Sequence, residues 1–184
     1  MLSENMDEVL GNIPLDLDGR FSKIRTSETN LGNLICDVMV ACTNADLALV
    51  NSGCLRSDRI HAAGKFTVRD LMTILPMMNQ LIVIQVTGEE VIKALENGVS
   101  QYPKSAGRFP QVSGIEFLFD PSAPAGSRVI PDLVKIGDEY LEPKTNYRLV
   151  TKAYVQQGRD GYSVLKDCKC LQDDEQCPML STSL

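Results

Sequence analysis

The feature that most constrains this chain is an apolar run, Ala45-Asp46-Leu47-Ala48-Leu49-Val50, that stops abruptly at Asn51-Ser52-Gly53-Cys54-Leu55-Arg56. Leu47 to Val50 has no polar alternation, so it reads as a strand covered on both faces. It ends at the flexible turn Asn-Ser-Gly, and the carboxyl edge of a strand is where α/β proteins commonly hold ligands. Asn51 offers donors and an acceptor, Gly53 permits close backbone approach, and Arg56 supplies a planar fork for phosphate or carboxylate. The same hexapeptide also fits an ordinary strand-turn with a surface arginine.

The remaining pattern fills in that architecture. Ser27 or Thr29 can cap a helix carrying Leu31, Leu34, Ile35, Val38 and Met39 at helical spacing. Thr67-Val68-Arg69-Asp70-Leu71 opens a second helix that Pro76 stops. Gln80 to Thr87 reads as a strand, and Thr87-Gly88-Glu89-Glu90 turns into an amphipathic helix with Val91, Ile92, Leu95 and Val99 inward. Strands then dominate: Gly114 to Asp120, Val129 to Ile136 across a Pro/Gly loop, and Tyr147 to Val150. The expected fold is α+β, a single domain with a mixed β-sheet and flanking helices. The first 19 residues read as a linker or edge segment, residues 20–167 as the domain, and residues 168–184 as a Cys-containing polar tail.

The 184 residues suffice for one sizeable core, and the formal net charge of −6 argues against a nucleic-acid polymer as partner. A small anion held by a few local arginines is compatible with that charge. No apolar run reaches the roughly 18 residues of a membrane span, and the acidic start Met1-Leu2-Ser3-Glu4 lacks the basic and apolar regions of a signal peptide. Of the six cysteines, Cys36, Cys42 and Cys54 are expected to be buried thiols. Cys168, Cys170 and Cys177 lack a fourth ligand for a structural zinc site. The cysteine pattern leans toward a reducing, cytoplasmic compartment.

Five blocks recur in one order: Glu28-Thr29-Asn30-Leu31-Gly32-Asn33-Leu34-Ile35-Cys36-Asp37, the Asn51 to Arg56 loop, Leu75-Pro76 with Val86-Thr87-Gly88, Gly107-Arg108-Phe109-Pro110-Gln111-Val112-Ser113-Gly114, and Gly158-Arg159-Asp160-Gly161-Tyr162. Together they resemble the C-terminal domain of the 5'-nucleotidase family, which includes UDP-sugar hydrolases, from about Arg25 to about Asp167. The resemblance implies a domain that binds a nucleotide or other small phosphorylated substrate. It implies that two divalent metal ions belong to a separate N-terminal metallophosphatase domain of the same polypeptide, with no cofactor in this chain and a homodimer left open. It gives Arg25, Asn51 and Arg56 the phosphate side of the substrate, Gly53 the close backbone approach of the loop, Tyr154 and Met77 the two faces of the base, and Asp160 the ribose hydroxyls. Met77 stands where many members have Phe, Ser52 and Cys54 replace glycines of the loop, and Arg159 stands where Gly is common. These departures bear on the substrate rather than the fold.

The chemistry legible without the resemblance is mostly negative. His61 is the one histidine; it is expected to be a partly exposed loop residue, since one imidazole makes no metal cluster. No Asp-x-His, Gly-Asn-His, phosphate-binding Gly loop or dinucleotide motif is present. Arg25 also fits a solvated helix-flanking charge, Tyr154 a core aromatic, Asp160 a turn former and Phe109 core. Two readings therefore compete: the substrate-binding part of a metal-dependent phosphohydrolase, or a non-catalytic binding module that retains the fold.

Overall fold

A computed structural model describes residues 5–77 and 80–183. In chain order its elements are β1 (Val9–Ile13), β2 (Leu17–Asp18), α1 (Phe21–Ile24), α2 (Asn30–Thr43), β3 (Leu47–Asn51), β4 (Ile60–His61), β5 (Gly64–Thr67), α3 (Val68–Ile74), β6 (Leu81–Thr87), α4 (Gly88–Val99), β7 (Pro110–Ser113), β8 (Ile115–Glu116), β9 (Lys135–Ile136), β10 (Glu139–Tyr140), β11 (Asn146–Lys152), α5 (Ala153–Gln156), β12 (Cys170–Gln172) and α6 (Leu180–Ser183). The central sheet has the order β12-β6-β11-β3-β7. Within it β11 runs antiparallel to β6 but parallel to β3, with Leu149 opposite Leu47 and Val150 opposite Ala48. The chain is therefore α+β with a mixed sheet.

Why β3 carries no polar residue before Asn51 follows from its place. Ala48 and Val50 enter one core with Ile35 and Met39 of α2, while Leu47 and Leu49 enter a second with Val91 and Leu95 of α4. Both faces are covered, so every residue of the strand is buried. The helices start where the capping residues dictate. Thr29 Oγ1 accepts the Gly32 amide, and Thr67 and Thr87 form reciprocal capping boxes with Asp70 and Glu90.

Four expectations need correction. The stretch Gly114 to Asp120 is a strand only at β8, and Val129 to Ile136 is broken by a 3-10 turn at Pro131–Leu133, where a proline has no amide to give a ladder. The two stretches still face each other antiparallel, through Ile115 opposite Ile136 and a bridge between Phe119 and Val129. The carboxyl segment is integral rather than a polar tail: β12 pairs with β6, and Cys177 and Leu180 are buried in the α2 core. At the other end β1 pairs with β5 as an edge ribbon. His61 is buried, not exposed, with its Nδ1 3.5 Å from Asp70 Oδ1 and its ring edge-on to Phe66. Cys42, conversely, is exposed. None of the helices described is long and apolar enough to cross a membrane.

Candidate functional site

β3 and β11 are parallel neighbours, so their carboxyl ends open onto the same edge of the sheet. Beyond that edge lies a cavity of about 690 Å³. Its wall contains Arg25, Asn51, Gly53, Arg56, Met77, Tyr154 and Asp160, all seven residues expected to serve one site.

The two arginines share an aromatic support. Arg25 follows the short α1, and its guanidinium lies 3.8 Å from the centre of the Phe21 ring; the Arg56 guanidinium lies 6.0 Å from the same ring. Burial and the neighbouring Arg56 charge both push the Arg25 guanidinium below its ordinary value, which marks a place where added negative charge is favoured. Arg25 Nε is buried without a hydrogen-bond partner. At the amino end of α2, Thr29 Oγ1 accepts the Gly32 amide, and the segment between α1 and α2 is tied down by Gln111. Its Nε2 donates to the Ile24 and Ser27 carbonyls, and its Oε1 accepts from the Thr29 amide.

Asn51 is the last residue of β3 and only 4% exposed. Its Nδ2 donates to Asp160 Oδ2 at 2.8 Å, while its Oδ1 is buried and unpartnered. The following turn is braced by the segment leading into β7: the Ser52 amide donates to the Phe109 carbonyl and the Gly53 amide to the Gly107 carbonyl. A Cβ on Gly53 would lie 3.1 Å from Gly107 Cα, so a side chain here would crowd the place where two backbones meet. Gly53 thus lines the cavity, but its amide is used inside the protein.

Asp160 sits at φ 52°, a left-handed conformation that costs a non-glycine residue energy and is worth explaining. What holds it there is a set of bonds: its carbonyl accepts Asn97 Nδ2, Oδ2 accepts Asn51, and Oδ1 accepts the Tyr154 hydroxyl at 3.1 Å. The turn role and the cavity role of Asp160 are therefore the same fact. Burial, with the Asp160 carboxylate beside it, pushes the Tyr154 phenol up. Tyr162, fully buried, donates to the Arg108 carbonyl and fixes the turn from beneath. Met77 lines the cavity rim, 55% exposed.

The profile of the family described as "5'-nucleotidase, C-terminal domain" matches residues 9–167. The chain belongs to that family. It is 36% identical over 183 residues to the "Trifunctional nucleotide phosphoesterase protein YfkN" of Bacillus subtilis (strain 168), covering 94% of this chain and 12% of the relative. It is 34% identical over 188 residues to "Protein 5NUC" of Lutzomyia longipalpis, covering 90% and 33%. Among solved structures, the 5'-nucleotidase precursor from Thermus thermophilus superposes with a TM-score of 0.89 at 38% identity, over 97% of this chain and 36% of the other. The chain thus spans about a third or less of the curated relatives' length.

As a 5'-nucleotidase C-terminal domain, the chain has no group of three or more His, Cys, Asp or Glu side chains fit to hold a metal ion, among the described residues. Sequence reasoning missed Phe21, the platform for both arginines, and Lys152, which also lines the cavity. Lys152 shares a face of β11 with the core residue Val150, but alternation along a strand does not say that a lysine there will line a cavity.

Proposed function

We propose that this chain is the substrate-binding domain of a metal-dependent nucleotide phosphohydrolase, whose metals are held by a separate N-terminal metallophosphatase domain of the same polypeptide. Arg25 and Arg56 receive the phosphate and Asn51 Oδ1 accepts a substrate hydroxyl or amide. Asp160 receives ribose hydroxyls, and Tyr154 stacks on the base with Met77 opposite. The observation that carries this reading is that Arg25, Asn51, Arg56, Tyr154 and Asp160 line one cavity. Two of these side chains also hold a buried polar atom without a partner, Arg25 Nε and Asn51 Oδ1, and such an atom costs about 1–3 kcal/mol when left unmatched.

Titration of the purified chain with AMP tests it by calorimetry. Saturable binding that weakens at least tenfold in Arg56→Ala is the expected result. Absence of saturation at millimolar AMP, or an Arg56→Ala variant that binds equally well, overturns the reading.

A further inference from the structure

The cavity contains one cation that the function above does not use. Lys152 closes β11, is 6% exposed, and lines the cavity. Among the described residues the ion pairs are made by Arg20, Arg59, His61 and Arg69, and no hydrogen bond satisfies the Lys152 ammonium. Among the described residues, its ammonium lies 5.5 Å from the centre of the Tyr154 ring. The stem of Lys152 is what the apolar core covers, with Cys54 and Val150 buried nearby. The ammonium is not one of the buried, unpartnered polar atoms and keeps access to the cavity. A ligand in the cavity can therefore supply its counter-charge.

Lys152 is also a separate station from the arginines. Arg25 and Arg56 gather at Phe21, whereas Lys152 gathers at Tyr154. Three cations thus face one carboxylate, Asp160, around this cavity. With the arginines occupied by a phosphate monoester, Lys152 is the remaining cation of the cavity, at the end where Asp160 accepts the Tyr154 hydroxyl. Met77 adds a reason for that end to rely on charge, since a thioether packs against a base with less directional preference than a second ring.

We propose that Lys152 is a specificity-determining contact, receiving a second anionic group carried by the part of the substrate remote from the phosphate that Arg25 and Arg56 hold. The preferred ligands are then nucleoside or sugar phosphates bearing a further phosphate or carboxylate. This rests on the phosphate-binding role of the arginines. An ammonium is a point charge rather than a fork, so it accepts either group, and the probes separate the two sources.

Calorimetry on the purified chain at low salt compares adenosine 3',5'-bisphosphate with AMP, and orotidine 5'-monophosphate with UMP, for the wild type, Lys152→Met, Lys152→Arg and Arg56→Ala. At least one two-charge ligand should bind about tenfold tighter than its one-charge parent, as a charge-assisted hydrogen bond gives. Lys152→Met should bring that ratio close to one, and Lys152→Arg should retain part of it. Methionine keeps an apolar stem of similar length and, with no ion pair at Lys152, leaves no charged partner orphaned, so the variant is expected to fold, which its thermal melt checks. A wild-type ratio of one for both pairs, or a ratio that survives Lys152→Met while Arg56→Ala weakens every ligand, overturns the proposal and leaves the phosphate role standing. If no ligand saturates the wild type, the phosphate role falls and this proposal falls with it.

Discussion

At the scale of single residues, the site divides into a charged end and an aromatic end, and each has its own test. In an enzyme assembled with its metal domain, Arg56→Ala should cost about 1.5–3 kcal/mol of substrate binding, the worth of a hydrogen bond to a charged group. Arg56→Lys should recover only part, because an ammonium cannot form the bidentate fork. At the other end, Met77→Phe should lower KM for AMP and Tyr154→Ala should raise it, each by an amount within the roughly 1–3 kcal/mol of base stacking. Unchanged AMP kinetics in both variants would show that neither side chain faces the base. Asn51, Arg56 and Asp160 were legible in the sequence because each lies in a turn whose glycines announce it. Lys152 and His61 were not, since burial of a polar side chain is decided by what packs over it. Phe21 carries no local mark that it will lie beneath two arginines from different segments.

At the scale of elements, the helices were legible and the short strands were not. Capping threonines act through bonds within four residues, so Thr29, Thr67 and Thr87 mark their helices correctly. Losing such a cap by Thr87→Ala should lower stability by about 1 kcal/mol, read from the urea midpoint. β8 and β9 are two residues each because Pro131 and the turns around them interrupt pairing, which depends on the partner strand. The contact between α2 and β7 bears on the site. A side chain at Gly32 would occupy the space of the Gln111 amide, which holds the Arg25 segment. The β2–β4 ribbon adds a pH dependence. Burial first, and the Arg59 charge second, push His61 below the ordinary imidazole value, against the pull of Asp70. The unfolded chain therefore takes up the proton first as pH falls. Stability that His61 contributes above its unfolded value of about 6.5 is lost progressively below it, until the folded form also protonates. Urea midpoints at about pH 7.5 and about pH 5.5 should fall further for the wild type than for His61→Phe.

For the whole molecule, the division between binding and chemistry predicts that the purified chain, even with added divalent metal, will not hydrolyse AMP, UDP-glucose or a generic phosphomonoester. Metal-dependent turnover abolished by a substitution within the chain would refute that; fusion to the cognate N-terminal domain should restore hydrolysis. The cavity wall has a further consequence, which follows from the parallel pairing of β3 with β11. Arg25, Asn51 and Arg56 come from the first half of the chain, Tyr154 and Asp160 from the last third, and they meet only because the two strands lie side by side. A ligand that touches both groups is a removable cross-link between distant parts of the polypeptide. Its binding energy is added to the cooperativity of the entire fold: a hundredfold excess over Kd contributes about 2.7 kcal/mol. Heat resistance then reports occupancy, so a library of phosphorylated metabolites can be ranked by melting temperature alone, before any catalytic partner is in the tube.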